Sequence, residues 1–428
     1  MSKILISGRP LQGQVQVPAS KSDLHRAVIC AALAGGVTEI TPFDLNDDVV
    51  ATVEAMRSIG VKTARVKNTL SMDATNLTDP AVPYSIKIGC GESGSTLRFL
   101  IPVLAALGYN IRFEGHGRLP YRPLDTYFQM LPQKGVGFTT REGRSLPFYM
   151  SGKLLPGTFE MPGNISSQFI SGLLMALPLL EGDSELRLTS RLESARYVDM
   201  TLKTMNHFGV IAKKLENSFV IPGGQRYRTR DYIAESDWSQ AAFFLAAGAI
   251  NGDVCVEGLN PESVQGDKMI YSFLKSFGAH ISWQEDGALH CAAGELKGIS
   301  IDATHCPDLV PVLAVVAAVA KGRTVITGAA RLRIKESDRL NAICQNLRKI
   351  GAAVSVQPDG LIIDGVEGFT GQKVEGFNDH RIVMAMAVAG GALHPKNTIE
   401  IDGAQAINKS YPQFFEHFKA LGGHAYVV

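Results

Sequence analysis

The sequence lacks an excess of charge of either sign. Its 428 residues include 42 lysines and arginines against 41 aspartates and glutamates, which gives a formal net charge of +1. Proteins that bind nucleic acid or an anionic membrane through their overall field carry a basic excess. The composition therefore argues against both partners, and a site for an anion would need a local concentration of positive side chains.

Long hydrophobic runs are also missing. The longest, such as residues 309–320, are too short to span a bilayer, and a proline interrupts this one. The first residues show no apolar stretch typical of a signal peptide. A chain of 428 residues, 45% of them hydrophobic, predicts a globular protein with at least two domains. Without a membrane span or a signal peptide in the pattern, we expect a cytoplasmic protein with no membrane partner.

Metal-binding and redox patterns are absent as well. None of the six cysteines forms a CxxC pair or has a Cys/His spacing typical of a metal site. Most lie in apolar stretches, which favours buried free thiols in a reducing compartment.

What the sequence does contain is a sixfold repeat with a period of roughly seventy residues. An amphipathic helix pattern, a glycine and a strand pattern recur, as in MRSIG-VKTARV and LKSFG-AHISW. The glycines are Gly60, Gly135, Gly209, Gly278, Gly351 and Gly422. A glycine directly after a helix commonly adopts positive φ and ends the helix, and we expect this at all six.

A second pattern alternates with the first. Six segments begin with polar residues and continue as nearly uniformly apolar helices, which predicts that they are buried. They are residues 22–35, 93–108, 166–182, 236–252, 308–322 and 379–390. Short strand patterns lie between them, so each repeat is mixed α/β. Six repeats exceed one domain, and three per domain is the natural division; a first strand over residues 4–17 could join either half.

Basic residues recur near the starts of these apolar helices, for example Lys21, Arg26, Arg98 and Arg381. A helix N-terminus is partly positive, so cations there are unfavourable unless an anion binds. Singly, each motif has a simpler interpretation: Asp308 as an N-cap, or Lys335 to Arg339 as a solvated ion-pair face. Recurrence at one position of every repeat favours a polyanionic ligand.

Five motifs then appear in order over essentially the whole chain. They are Ser20-Lys-Ser22 with Arg26, Gly91-Glu-Ser-Gly-Ser-Thr-Leu-Arg98, Tyr121-Arg-Pro123, Arg333-Ile-Lys-Glu-Ser-Asp-Arg339 and Asn378-Asp-His-Arg381. On these motifs the chain resembles the 5-enolpyruvylshikimate-3-phosphate synthase family. The resemblance implies a two-domain inside-out α/β barrel of six βαβαββ repeats, three per domain. It also implies domains over residues 19–230 and over residues 1–18 with 231–428, and an active site in the cleft between them.

The family's reaction transfers the enolpyruvyl group of phosphoenolpyruvate to the 5-hydroxyl of shikimate 3-phosphate and releases phosphate. It proceeds by addition and elimination through a tetrahedral intermediate, in the shikimate pathway to chorismate and the aromatic amino acids. The resemblance implies no metal or other cofactor, a monomer, and inhibition by glyphosate at the phosphoenolpyruvate site.

The resemblance also assigns roles to residues. For catalysis it suggests Asp308 as the base, helped by Lys335, with Glu336 as the acid and Lys21 in contact with both substrates. Shikimate 3-phosphate would be held by Lys21, Ser22, Arg26, Ser166, Ser167, Gln168, Ser194, Tyr197, Asp308 and Lys335. Phosphoenolpyruvate would be held by Lys21, Gly94, Arg122, Gln168, Arg339, Arg381 and Lys409. Arginine forks suit carboxylate and phosphate oxygens, which agrees with this division.

The chain departs from the family pattern at Glu92, Ser95, Phe99 and Arg331, where asparagine, threonine, proline and asparagine are frequent. Two other functions compete with this one. A UDP-N-acetylglucosamine enolpyruvyl transferase would share the fold and donor but typically has a loop cysteine, which residues 116–122 lack. A non-catalytic protein that binds phosphorylated ligands would need no acid and base beside the cations.

Overall fold

The structure is a computed structural model that describes residues 2–80, 86–141 and 143–428. The chain forms two units: the N-terminal unit is Ala19–Ala234, and the C-terminal unit combines Met1–Pro18 with Glu235–Val428. The domain bounds predicted from the sequence imply that the chain passes from the N-terminal to the C-terminal unit near residue 230. In the structure, Tyr232 and Ile233 still pair with a strand of the N-terminal unit, so the chain leaves that unit only after them.

Two strands, β1 (Lys3–Ser7) and β2 (Gln12–Gln16), precede the N-terminal unit and belong to the C-terminal one. Helices of the N-terminal unit are α1 (Lys21–Leu33), α2 (Asp47–Ser58), α3 (Gly94–Leu107), α4 (Asp125–Met130), α5 (Ser167–Ala176) and α6 (Ala195–His207). Its strands are β3 (Val37–Thr41), β4 (Lys62–Val66), β5 (Thr69–Asp73), β6 (Ile86–Gly89), β7 (Ile111–Glu114), β8 (Val136–Arg141), β9 (Arg144–Gly152), β10 (Gly157–Met161), β11 (Ser184–Leu188), β12 (Lys213–Lys214), β13 (Ser218–Ile221) and β14 (Tyr232–Ile233).

The C-terminal unit continues with helices α7 (Trp238–Asn251), α8 (Met269–Phe277), α9 (Val310–Ala318), α10 (Arg339–Lys349), α11 (His380–Val388) and α12 (Phe414–Ala420). Its further strands are β15 (Asp253–Glu257), β16 (His280–Trp283), β17 (Leu289–Ala292), β18 (Ser300–Asp302), β19 (Arg323–Thr327), β20 (Ala353–Gln357), β21 (Gly360–Asp364), β22 (Lys373–Glu375), β23 (Thr398–Asp402) and β24 (His424–Val427).

In the described residues each unit has three four-stranded sheets built on one plan. The strand orders are β14-β3-β5-β4, β6-β7-β9-β8 and β10-β11-β13-β12 in the N-terminal unit, and β2-β15-β17-β16, β18-β19-β21-β20 and β22-β23-β1-β24 in the C-terminal unit. In every sheet the first two strands are parallel and the other pairs are antiparallel. This plan is the βαβαββ repeat, and the prediction of six such repeats is confirmed.

Three of the sheets borrow a strand from elsewhere in the chain. Strand β14 completes the first sheet, β2 starts the fourth and β1 enters the sixth. The expectation of one strand over residues 4–17 was therefore wrong, because the segment around Gly8 and Pro10 separates two strands that join different sheets. The amino-terminal segment thereby ties together the first and last repeats of the C-terminal unit.

The first helix of each repeat is buried, as its apolar sequence predicts. In the C-terminal unit α7, α9 and α11 pack against one another, and in the N-terminal unit α3 packs against α1 and α5. The second helix of each repeat is followed by one of the six predicted glycines, and all six have positive φ, between 80° at Gly209 and 105° at Gly278. Within the described residues, none of the helices is long and apolar enough to cross a membrane.

The six cysteines are free thiols. Five are buried, and Cys255 is partly exposed. Burial raises the pKa of the Cys291 thiol to about 12, so this side chain remains protonated and behaves as a small apolar group. The expectation of buried free thiols is confirmed at five positions.

Candidate active site

The C-terminal unit gathers six charged side chains at the starts of α9, α10 and α11. The centre of this charged cluster is Arg339, the first residue of α10, which is 1% exposed. Its guanidinium donates to Asp308 Oδ1 at 2.8 Å, to Glu336 Oε2 at 2.6 Å and to Asp379 Oδ2 at 2.8 Å. Three carboxylates around one buried cation are inconsistent with a solvated ion-pair face on α10.

Asp308 is surrounded by three cations. Its carboxylate lies 2.8 Å from Arg339, 3.0 Å from Arg381 and 3.6 Å from Lys335. The residue lies in the 3₁₀ turn Pro307–Leu309, and α9 begins at Val310 without a side-chain cap. Helix capping therefore does not explain Asp308, whose carboxylate is occupied by the cations instead.

This environment controls ionisation. Burial by itself would raise the pKa of the Asp308 carboxyl, but the charges of Arg381, Lys335 and Arg339 outweigh it and hold the pKa well below its ordinary value. Burial lowers the pKa of the Lys335 ammonium, while the neighbouring Asp308 opposes that shift. Asp308 is thus a carboxylate at neutral pH, beside an ammonium that releases its proton more easily than a solvated lysine.

Asp379 holds the two arginines in place. It is the N-cap of α11, where Oδ1 accepts from the backbone N–H of Arg381 at 3.0 Å. Its Oδ2 accepts from Ser337 Oγ at 2.9 Å and from Arg339 Nε at 2.8 Å. Sequence reasoning placed Asp379 in the motif that ends at Arg381 without giving it a role in the site; its N-cap position two residues before Arg381 was the available signal.

Lys409 reaches the same helix start. Its ammonium donates to the backbone carbonyl of Asn378 at 2.7 Å, and the residue is 6% exposed. The structure thus brings together Asp308, Lys335, Glu336, Arg339 and Arg381 by direct contact and places Lys409 next to the residue that precedes Asp379.

In the N-terminal unit, α1 presents Lys21 and Arg26. The Lys21 ammonium pairs with Asp48 of α2 at 2.7 Å. Arg26 is 2% exposed; it donates to Thr201 Oγ1 at 2.7 Å and to the Tyr197 carbonyl at 2.9 Å, and its guanidinium lies over Phe99 at 5.0 Å from the ring centroid. Burial lowers the pKa of Arg26 to about 10, so it stays charged at neutral pH.

The glycine-rich loop leads into α3, whose first residue is Gly94 and whose N-cap is Ser93. A methyl group added at Gly94 would lie 2.5 Å from Nη1 of Arg122. No other residue type is compatible with this close approach of a guanidinium to the backbone unless the arginine moves. Gly94 and Arg122 therefore lie in direct contact at the start of α3.

Gln168 joins α5 to α3. Its Oε1 accepts from Arg98 Nη1 at 2.9 Å, and its Nε2 donates to Ser95 Oγ at 2.9 Å. Ser166 caps α5 by accepting from the Gln168 N–H at 3.3 Å, which is the ordinary structural use of serine that the sequence also allowed. Arg98 was a motif residue without an assigned role, and the structure gives it the task of orienting Gln168.

Of the remaining predicted shikimate-phosphate residues, Ser22 lies on α1, and the others lie at the starts of α5 and α6. Ser167 is the first residue of α5 and is 8% exposed. Ser194, at the N-cap position of α6, has a left-handed backbone with φ 52° and no side-chain capping bond. Such a conformation is costly for a residue other than glycine and is concentrated at functional sites.

Comparisons with known proteins agree on one family. The model of the family described as EPSP synthase (3-phosphoshikimate 1-carboxyvinyltransferase) matches residues 6–418. Proteins named 3-phosphoshikimate 1-carboxyvinyltransferase from Clostridium acetobutylicum and Clostridium beijerinckii are 44% and 43% identical, over 99% of this chain and 98% of each relative. The solved structure of EPSP synthase from Acinetobacter baumannii has a TM-score of 0.84 and 28% identity, with both chains covered completely. This chain belongs to the EPSP synthase family.

Proposed function

We propose that the residues described above carry out the reaction of this family, in which the enolpyruvyl group of phosphoenolpyruvate passes to the 5-hydroxyl of shikimate 3-phosphate. The chain is accordingly a transferase of the shikimate pathway. The observation that carries the assignment of residues is the carboxylate of Asp308, ionised and enclosed by Lys335, Arg339 and Arg381. A protein that only bound phosphorylated ligands would have no need of a carboxylate at the centre of its cations.

In this proposal, three arginines and Lys409 hold phosphoenolpyruvate. Arg122 beside Gly94 is one such group, and Arg339 and Arg381 are the others. Guanidinium groups bind carboxylates and phosphates through paired N–H donors. Phosphate and carboxylate oxygens of the donor would replace part of the carboxylate ligands that Arg339 and Arg381 have in the structure.

Shikimate 3-phosphate is assigned to Ser166, Ser167, Ser194 and Tyr197, with Arg26 and Ser22 at α1. Ser194 supports this assignment through its left-handed backbone, and Arg26 through its direct bond to the Tyr197 carbonyl. Gln168 and Lys21 are proposed to contact both substrates. That both units contribute to one site remains a prediction of this assignment.

The chemistry follows from the charges. Attack of the 5-hydroxyl oxygen on C2 of phosphoenolpyruvate requires a base for its proton, and C3 requires an acid. Asp308 is the proposed base, helped by Lys335, and Glu336 is the proposed acid. A carboxylate whose pKa is depressed by neighbouring cations is a weak base. When an anionic substrate binds the same arginines, it offsets their positive charge, so the pKa of Asp308 rises and its carboxylate becomes a stronger base. Loss of phosphate from C2 and of a proton from C3 of the tetrahedral intermediate then restores the C2–C3 double bond and forms the enol ether of the product.

Two finer assignments accompany this function. A cytoplasmic location is supported by the free cysteines, because free thiols persist in reducing compartments. A monomeric state is proposed from the resemblance to the family.

The test is release of inorganic phosphate from phosphoenolpyruvate with each candidate acceptor. We expect release with shikimate 3-phosphate and none with UDP-N-acetylglucosamine. Release with the second acceptor alone would contradict the proposal, and release with neither would favour a binding protein.

A further inference from the structure

The guanidinium of Arg26 is buried among uncharged groups, and the residue is 2% exposed. Its Nε donates to Thr201 Oγ1 at 2.7 Å, and its Nη1 donates to the Ser22 carbonyl at 2.5 Å. Its Nη2 donates to the Tyr197 carbonyl at 2.9 Å and to Ser171 Oγ at 3.4 Å. These bonds hold the guanidinium between α1, α5 and α6, and they leave one N–H of Nη1 for a further acceptor.

Arg26 also differs from Arg339 in its counter-ions. In the part of the chain that the structure describes, no carboxylate forms an ion pair with Arg26, and Asp23, one turn earlier on α1, accepts from Tyr232 Oη at 2.6 Å. Arg339, by contrast, donates to three carboxylates. An anionic ligand of Arg26 would therefore have no carboxylate to displace. A buried cation without a counter-ion needs another source of stabilisation.

Phe99 of α3 supplies this stabilisation. The residue is 1% exposed, and Cζ of Arg26 lies over its ring at 5.0 Å from the centroid. The ring also contacts His25, the preceding residue of α1, in a T-shaped arrangement with centroids 6.4 Å apart. The face of an aromatic ring is negative, so it attracts a guanidinium without neutralising its charge and without occupying its in-plane N–H groups.

The same contact recurs one buried helix further along the N-terminal unit. Cζ of Arg98, on α3, lies over the ring of Phe169 on α5 at 5.0 Å from the centroid. Arg98 in turn orients Gln168. Contacts between an arginine and a ring thus join α1 to α3 and α3 to α5, and each of them holds an arginine of the motifs that resemble the family.

We propose that Phe99 is a positioning residue that acts through Arg26: its ring holds the guanidinium ready for the anionic acceptor substrate and leaves the positive charge uncompensated. This inference rests on the proposed function, in which Arg26 binds shikimate 3-phosphate. Because the guanidinium is already held in place, binding does not have to order it. Loss of the ring's attraction allows the guanidinium to shift, and the anion then binds more weakly.

The experiment replaces Phe99 in the full-length protein by phenylalanine that carries one, two or three fluorines on the ring. Fluorine withdraws electron density from the ring face and changes the side-chain volume little, so the series weakens the attraction to Arg26 in steps. We expect the Kd for shikimate 3-phosphate, measured by calorimetry, to rise with each fluorine, by about three- to thirtyfold over the series. The KM for phosphoenolpyruvate at saturating shikimate 3-phosphate should change less.

The matched control is the same series at Phe148 of β9. Phe148 is also 1% exposed, and its ring packs against those of Phe113 and Phe128, with centroids 5.1 Å and 5.3 Å away. The cation–ring contacts of the described residues do not include Phe148, so fluorination there should leave the Kd unchanged. If the fluorinated protein fails to fold, Phe99→Leu, which keeps an apolar side chain without a ring, should raise the Kd by a similar factor.

Three results would overturn the proposal. A Kd that stays constant along the Phe99 series, or in folded Phe99→Leu, would show that the ring only fills the core. A Kd that falls along the series would show that the negative ring face opposes the anion. An equal rise in the Phe148 series would show a general effect of fluorination on the unit.

The proposed function and the role of Phe99 can be told apart when either fails. If wild type neither binds shikimate 3-phosphate nor releases phosphate from phosphoenolpyruvate in its presence, the proposed function is wrong and this inference is wrong with it. If wild type releases phosphate but the Kd is constant along the Phe99 series, only the role of Phe99 is wrong.

Discussion

The contact between Gly94 and Arg122 makes a sharp prediction for Gly94→Ala. An added methyl at this position could meet either a bound ligand, of which glyphosate is longer than phosphoenolpyruvate, or the protein itself. In the structure, the methyl would lie 2.5 Å from Arg122 Nη1 and 2.8 Å from Cζ and Nη2. The methyl therefore meets the protein's own guanidinium first.

The magnitude follows from the overlap. Carbon and nitrogen atoms in contact need about 3.5 Å, so the guanidinium has to withdraw by about 1 Å. These atoms are the far end of a flexible side chain, so the shift itself costs little stability, but the displaced arginine loses its paired geometry toward a carboxylate, and a hydrogen bond to a charged group is worth about 1.5–3 kcal/mol. We expect the KM for phosphoenolpyruvate and the inhibition constant of glyphosate both to rise about tenfold or more, with glyphosate affected at least as strongly.

The assay is a set of steady-state curves for phosphoenolpyruvate, with and without glyphosate. Gly89→Ala is the matched control, because a methyl at that glycine of β6 has no neighbouring atom within 4 Å. Arg122→Ala, alone and combined with Gly94→Ala, closes a double-mutant cycle. If the effects of Gly94→Ala and Arg122→Ala on the KM for phosphoenolpyruvate multiply in the double variant, or if Gly94→Ala leaves this KM unchanged, then Gly94→Ala does not act by displacing Arg122.

Three further predictions concern the charged cluster. Asp308→Asn should lower kcat on the order of a hundredfold without raising the KM for phosphoenolpyruvate, because it removes the base and leaves three cations; near-normal turnover in a folded variant would exclude Asp308 as the base. Asp379→Asn should raise that KM by about tenfold and lower the melting temperature, since Arg339 loses a buried ionic partner; an unchanged KM would show that Asp379 does not hold the arginines. Stability should fall as acid protonates Asp308: its pKa is depressed in the folded state, so its contribution is present above the unfolded-state pKa and lost as pH falls through the folded-state pKa. Urea unfolding at stepwise lower pH measures this, and Asp308→Asn should show a shallower loss than wild type; equal slopes would count against the assigned pKa shift.

Local patterns were reliable where a local rule determines the structure. The glycines Gly60 and Gly422 end their helices with positive φ because the helix geometry requires a left-handed residue there. The buried helices were expected from their uniform apolarity. Their starts were less accurate: the fourth begins after Asp237 instead of Ser236, and the fifth begins at Val310 rather than at Asp308. N-cap candidates that stand next to one another have nearly equal local preference, so packing decides between them.

By itself, the sequence determined the sixfold α/β repeat, the buried helices and the membership of a family with a known reaction. These features depend on periodicity and on motif residues that lie close together along the chain. Only the tertiary structure decided that β1 and β2 enter different sheets, that Asp379 holds Arg339, and that Asp308 lies between Arg339 and Arg381. The physical reason is that strand pairing and electrostatic interaction depend on distance in space, and residues such as Asp308, Arg339 and Arg381 are brought together only by the packing of helices and turns from successive repeats.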